Sequence, residues 1–390
     1  MPETALHIAL LTHSVNPRGG VVHVLELGRA LHEAGHHVTV MAPAAPGQRL
    51  FRTTPCAVEL VPVAPAGGQL AELVRSRIDG YVAHLAKLLP HRQVDIWHAH
   101  DGIGANALAD LAARGAIRGY LRTVHHVDRF DDARVQAWEE RSVREASRVL
   151  CVSELWRQRL ADDWGIAAER VTNGIDLARY SPQAHPLDRV VARKYGLGGG
   201  PRLLCVGGIE SRKNARRLLA AFLALRAQRP SAQLVIAGGA SVLNHDAETR
   251  AFHADVEASG LSIGPGCPLV ITGTVPDAEM PSLYRLADVL AMPSLLEGFG
   301  LAALEALASG TPAVVSRSAP FTEHFGDGDV EWADPLDVDS IALALQRALA
   351  LGRREPPAVC RRFDWPGSAA AHLRIYRHHL AATRLPALAH

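Results

Sequence analysis

The stretch "HIALLTHSVNPRGGVVHVLELGRALHEAGHHVTVMAP" (residues 7–43) decides the fold. Residues 7–12 form a short apolar run of the length of a buried strand. Val21, Val24, Leu25, Gly28 and Leu31 then recur at helical spacing, Gly35 stands where a helix C-cap belongs, and "HVTVMAP" resumes a β-branched strand. Strand, Gly-rich loop, helix, strand is the repeating unit of a parallel sheet covered by helices on both faces.

The same rhythm continues through "VDIWHAH", "GYLRTVHH" and "SRVLCVSELW", and restarts at residue 201. There "PRLLCVGG" reads as a strand, "IESRKN" as a loop, "ARRLLAAFLALRAQ" as a helix and "AQLVIAGG" as the next strand. "PLVITGT", "ADVLAMPS" and "TPAVVS" supply further strands. The fold class is therefore α/β, with two Rossmann-like, doubly wound domains facing an interdomain cleft. Pro- and Gly-punctuated segments between residues 178 and 200 place the boundary. The expected division is residues 1–180, residues 181–365, and a terminal helix over 366–390 that returns toward the first domain. Open α/β sheets bind ligands outside the carboxyl ends of their strands. The strand-end loops are accordingly where chemistry is sought.

Composition narrows the classes. The 390 residues are 48% hydrophobic, enough for two cores. The net charge of +1 gives no bulk attraction to nucleic acid. Five scattered cysteines without a C-x-x-C pair read as free thiols in a reducing compartment. "MPETALHIALL" lacks a basic leader region, and no apolar run approaches the roughly 18 residues of a spanning helix. A cytoplasmic protein is expected; weak contact with a membrane surface through arginine-bearing segments stays open. Lysine occurs only at 87, 194 and 213, against 38 arginines (41 − 3), which draws attention to Lys213.

In "PSLLEGFGLAALEALASGTPAVVS" (293–316) the only charges are Glu297 and Glu305. Glu297 follows a strand and Glu305 lies one turn inside the next helix. The amides of Phe299, Gly300 and Leu301 stand at that helix N-terminus, a natural anion site. Gly298 and Gly300 allow a ligand close to the backbone. An anion at the helix end with hydroxyls on either side uses all of these parts, and a nucleotide sugar has that layout. Read alone, either glutamate is also an ordinary helix-surface or first-turn acid. Arg212 and Lys213 converge on a second helix start near Asn214, suited to neutralising a diphosphate; a solvated basic turn is the plainer alternative.

The 293–316 segment resembles the E-x7-E segment of retaining GT-B glycosyltransferases, especially family 4. "NPRGGVVHVLELGRALHEAGHHVTV", "VDIWHAHD", "TVHH", "VTNGID", "VGGIESRKN", "VIAGG", "GTVPDAEMPSLYRLADV" and "FDW" resemble that family's succession of motifs, so the likeness covers nearly the whole chain. The resemblance implies GT-B architecture and retaining, metal-independent transfer of a sugar from a nucleotide diphosphate to an acceptor hydroxyl, the acceptor being a small molecule, a glycan or a lipid-linked compound. It implies catalytic roles for Glu297, Lys213 and His100, with Glu297 on the transferred sugar and His100 beside it. Glu305 would hold the ribose hydroxyls. Gly19 and Gly20 would close over the donor from the other domain, and Arg212, Lys213, Gly298, Phe299, Gly300 and Leu301 would meet its sugar and phosphates. Thr272 to Val275 would lie beside the base, and Asp101 and His125 toward the acceptor. One departure stands out. The family's V-G-R reads Val206-Gly207-Gly208 here, so an arginine is missing at 208 and Arg212 is the candidate replacement.

No cofactor or metal is expected. His98 and His100 share a strand face and His125 and His126 follow another strand, but no H-E-x-x-H or Cys/Asp-rich set completes a site. "DVD" at 337–339 precedes "SIALALQRALA" and reads as a helix cap. Three alternatives remain on the sequence: another GT-B enzyme such as a sugar-nucleotide epimerase or a phosphorylase, a non-catalytic nucleotide-sugar sensor, or an NAD oxidoreductase. The last lacks a G-x-G-x-x-G in its first loop. Lys213 is expected outside the core, so that its removal abolishes transfer while the fold survives.

Overall fold

Strand β1 (His7–Leu11) shows how the first half folds. Alternate residues of a strand face opposite sides. Ile8 and Leu10 pack with Val24, Leu27 and Leu31 of the helix Gly19–Glu33. Ala9 and Leu11 pack on the other side with Tyr81 and Leu85 of the helix Leu70–Leu88 and with Leu108. Both faces are covered, which is why the strand reads as an unbroken apolar run.

The computed structural model describes residues 4–64, 69–239 and 246–384. The chain divides into two compact units, Met1–Gly174 with Asp364–His390, and Ile175–Phe363. In the first, β1 is joined by β2 (His37–Ala44), β3 (Ala57–Pro62), β4 (Ile96–Ala99), β5 (Leu121–Val124), β6 (Arg148–Cys151) and β7 (Ala168–Arg170). They form one sheet in the order β3-β2-β1-β4-β5-β6-β7. Every pairing is parallel; β1 meets β2 with His7 opposite His37 and β4 with Ile8 opposite Ile96. The helix Trp365–Arg384 sends Trp365, Ala369, Leu373 and Tyr376 into the core of this same unit.

The second unit contains β8 (Arg202–Val206), β9 (Gln233–Ala237), β10 (Leu269–Gly273), β11 (Val289–Met292), β12 (Ala313–Ser316) and β13 (Glu331–Ala333). Their order is β10-β9-β8-β11-β12-β13, again all parallel. Leu203, Cys205, Leu234, Ile236 and Val289 form a core with Phe222 of the helix Ala215–Gln228 and Leu345 of the helix Val338–Leu351. Phe222 is fully buried, and its truncation to alanine is worth about 3–5 kcal/mol. Both sheets run outward from the first strand of their unit, then reverse and resume on its other side. That reversal creates a crevice at the carboxyl ends, between β1 and β4 in one unit and between β8 and β11 in the other.

Among the described residues no helix is long and apolar enough to cross a membrane. All five cysteines are free. The "DVD" segment caps a helix, with Asp337 accepting from the Asp339 amide at 2.9 Å.

Candidate active site

At the β8/β11 reversal two loops are stitched together. The Leu295 amide donates to the Arg212 carbonyl at 2.8 Å, and the Asn214 side-chain amide donates to the Pro293 carbonyl at 2.9 Å. Asn214 itself sits at φ 60, a left-handed turn that starts the helix Ala215–Gln228. This turn brings Lys213, from the loop after β8, against Glu297, from the loop after β11. Lys213 Nζ donates to Glu297 Oε1 at 2.6 Å, although the two residues are 84 positions apart.

Both partners are buried, each 7% exposed. The expectation that Lys213 stands outside the core is therefore corrected: the stitched loops fold over it, and its ammonium is held by a buried carboxylate. Arg212 lies farther out, with Nη1 3.6 Å from Glu297 Oε1 and Nη2 2.8 Å from Glu210 Oε2. Burial pushes the Glu297 carboxyl up, but the Lys213 and Arg212 cations and the hydrogen bond from Lys213 outweigh it and hold it below the usual range. Lys213, Arg212 and Glu297 thus meet at one point, in the crevice where such a sheet takes its ligand. Gly207 makes room for them. Its φ is 123, and a Cβ there would fall 2.4 Å from Lys213 Cε. Where the family motif carries arginine the chain has Gly208, and the second cation at this point comes from Arg212.

Glu305 lies in the helix Leu301–Ala308, whose N-cap is Gly300 at φ 96. A side chain at Gly300 would strike the Phe321 ring, 2.7 Å away, so the tight entry into this helix requires glycine. The Phe299 ring turns into the core against Phe363, with centroids 5.3 Å apart, while Gly298 is half-buried and Leu301 opens the helix. Tyr284 donates to Glu305 Oε2 at 2.6 Å. Burial and the adjacent carboxylate push the Tyr284 phenol well up, so it remains a donor. Val275 is buried just beyond β10, and the Thr272 hydroxyl donates to the Gly273 carbonyl at 2.8 Å.

At the β1/β4 reversal of the first unit, Gly19 and Gly20 are the first two residues of the helix Gly19–Glu33, inside it rather than in the loop before it. Gly20 lies against His125; a Cβ there would be 3.5 Å from the imidazole. Asp101 caps the helix Gly102–Ala113 through Oδ1, which accepts from the Gly104 amide at 2.8 Å, and its Oδ2 is buried without a hydrogen-bond partner. His100 directly follows β4, with both ring nitrogens buried and unpartnered. His98, two residues earlier, is satisfied on both sides, by Tyr376 Oη at 2.7 Å and Thr123 Oγ1 at 2.8 Å. His126 pairs with Asp128 at 3.1 Å. His100 and His125 are joined by His23, whose ring lies 5.1 Å from the first and 4.7 Å from the second. Burial, reinforced by the neighbouring histidines, pushes His100 and His125 well below the ordinary value, and His23 falls to about 3.

Three residues of these sites are absent from the candidates read in the sequence. Glu210 reaches Arg212 two residues along the same loop, where the sequence shows only an acid beside a base, and Tyr284 acts through a contact with Glu305 that no short motif encodes. His23 carries a signal only in hindsight, as a polar residue on the apolar face of the first helix.

The class follows from the two open sheets: this is the GT-B glycosyltransferase fold. Sucrose-phosphate synthase from Thermosynechococcus elongatus superposes with a TM-score of 0.75 over 96% of this chain and 99% of its own, at 23% identity. Residues 17–179 match the family model Glycosyltransferase Family 4, and residues 191–361 match Glycosyl transferases group 1. A phosphatidyl-myo-inositol mannosyltransferase of Mycolicibacterium smegmatis is 29% identical over 93% of this chain and 91% of its own. A D-inositol 3-phosphate glycosyltransferase of Salinispora arenicola is 27% identical over 93% and 88%. The chain belongs to the family 4 and group 1 glycosyltransferases, and it is a glycosyltransferase enzyme.

Proposed function

We propose that the chain is a retaining, metal-independent glycosyltransferase that moves a sugar from a nucleotide diphosphate to an acceptor hydroxyl. One observation carries the reading: the buried Lys213–Glu297 pair, with Arg212 beside it, stands at the crevice of the second sheet. The donor diphosphate takes Lys213 and Arg212 as counter-charges, and Glu297, released from the ammonium, turns to the hydroxyls of the transferred sugar. Glu305, held by Tyr284, binds the ribose.

In the reaction the bond between the anomeric carbon and the phosphate oxygen breaks, leaving positive charge on the sugar and negative charge on the diphosphate. Preorganised cations and helix-start amides stabilise that charge. The acceptor oxygen bonds to the anomeric carbon on the same face, and its proton passes to the departing phosphate. No enzymatic nucleophile is needed. His100 lines the sugar side, and Asp101 and His125 the acceptor side. Lysine and arginine supply the charge that a divalent ion supplies elsewhere, which supports metal independence.

The two inositol-directed relatives make inositol-bearing acceptors the first to test. Incubation of the chelator-treated enzyme with UDP-, GDP- and ADP-sugars and such acceptors is expected to give a glycoside that keeps the donor's anomeric configuration, read by NMR. An inverted product, a strict metal requirement, or conversion of the donor to another sugar nucleotide without acceptor overturns the reading.

A further inference from the structure

His23, His100 and His125 come from three elements of one unit: the helix Gly19–Glu33, the residue after β4 and the residue after β5. Each keeps at least one ring nitrogen that is buried and has no hydrogen-bond partner: Nε2 of His23, both nitrogens of His100, and Nε2 of His125. Buried polar atoms are normally satisfied, so three orphaned imidazoles facing one another need a cause. The neighbouring His98 and His126 show the ordinary outcome, with partners in place.

We propose that these three imidazoles form a binding site for a single borderline divalent transition-metal ion, of which zinc is the type case. Their ligand atoms lie within 4.8 Å of one another. Three points so spaced share a centre about 2.8 Å or less from each, against about 2.0–2.1 Å for a zinc–nitrogen bond. For a four-coordinate ion each ring therefore moves inward by about 0.9 Å at most, within reach of small side-chain rotations. Three imidazoles with a fourth position left to water is a familiar zinc arrangement, whereas a set without carboxylates is wrong for magnesium or calcium. The surroundings also fix the tautomer of one ligand. His23 Nδ1 lies 2.8 Å from Asn173 Oδ1, so Nδ1 carries the hydrogen and Nε2 presents the lone pair. An outer hydrogen bond of this kind is what orients metal-binding histidines. Asn173 is itself buried.

The ion takes no part in the transfer reaction. Because the reading above puts His100 beside the transferred sugar, zinc at this site is expected to slow transfer; that clause alone rests on the reading.

The test uses the untagged full chain, stripped with chelator and loaded with Co²⁺ or Zn²⁺. The expected results are one tightly held ion per chain, the intense visible band of four-coordinate cobalt, and a zinc X-ray absorption shell of three imidazole nitrogens and one oxygen. His23→Gln and His125→Gln are expected to weaken binding by at least about 10-fold, and Asn173→Leu, outside the ligand set, by about 10–100-fold. Failure of the wild-type chain to hold a stoichiometric ion overturns the proposal. So does a first shell other than three imidazoles, or unchanged affinity in variants that keep the wild-type melting profile. The X-ray absorption measurement needs no variant, so misfolding of the substituted chains leaves the proposal decidable. Zinc bound in the expected shell with transfer unaffected supports the site and removes His100 from the sugar side.

Discussion

Replacing Lys213 by methionine keeps most of the side-chain volume and removes only the charge. It leaves Glu297, 7% exposed, with the Arg212 guanidinium beside it, Nη1 at 3.6 Å. Breaking a buried ion pair by removing one partner costs about 3–5 kcal/mol. Arg212 offsets part of this, so about 3 kcal/mol is expected. The second unit has 189 residues (363 − 175 + 1). At about 2–4 °C per kcal/mol for a domain of this size, its melting midpoint falls by roughly 6–12 °C. Transfer falls as well, by about 10²–10³ in kcat for one lost donor to the developing charge. The two effects separate in the double variant Lys213→Met/Glu297→Gln, where no buried charge is stranded. Calorimetry of the three proteins is expected to show most of the lost stability recovered in the double variant, while a coupled nucleotide-release assay shows transfer still down by at least about 10²-fold. A single variant that melts with the wild type, or a double variant that recovers transfer, refutes the reasoning.

Glu305→Ala is expected to raise the donor KM more than it lowers kcat, and Glu297→Ala the reverse; initial-rate kinetics with equal damage to both parameters in both variants would mean the roles are not divided this way. Gly207→Ala introduces a Cβ 2.4 Å from Lys213 Cε at φ 123. The strain is on the order of 1–3 kcal/mol, and because the flexible lysine swings aside, kcat is expected to fall at least about 10-fold, with an unchanged rate as the contrary result. Folding stability is expected to drop below pH 6.5. His23, His98, His100, His125 and His372 are all held below that ordinary value by burial, His23 to about 3 and His372 to about 4. The unfolded chain takes up these protons as the pH falls and the folded chain does not, so the loss begins near 6.5 and continues down to the folded values. At pH 5.5 each such group removes about 1.4 kcal/mol, and urea unfolding at pH 7.5 and 5.5 should differ by at least about 3 kcal/mol; equal stabilities contradict the buried, neutral cluster.

The central strands are plain in the sequence because burial on both faces favours apolar runs, as in residues 8–11 of β1, 234–237 of β9 and 289–292 of β11. The edge strands are not. β3 (AVELVP) has only Val61 buried and a glutamate at its middle, and β7 (AER) and β13 (EWA) are three residues each, so none has the apolar run that marks an inner strand. The site divides in the same way. Residues near one another in the chain, such as Glu297, Gly300 and Glu305, stand out through strand–loop–helix context. What places them is invisible there. The Lys213–Glu297 bond joins positions 84 apart, Tyr284 reaches Glu305 across 21, and His23 meets His100 and His125 only when three elements pack. The burial of Lys213 could not be read either, because it follows from two loops folding over it rather than from any local pattern.

Calorimetric titration of the chain with UDP, GDP and ADP, and with their sugars, bears most directly on whether Lys213, Arg212 and Glu297 grip a nucleotide diphosphate. One nucleotide is predicted to bind at a ratio of one per chain, with its affinity lowered at least about 10-fold in Lys213→Met/Glu297→Gln. No binding by any of the three, or equally tight binding to the double variant, contradicts the account.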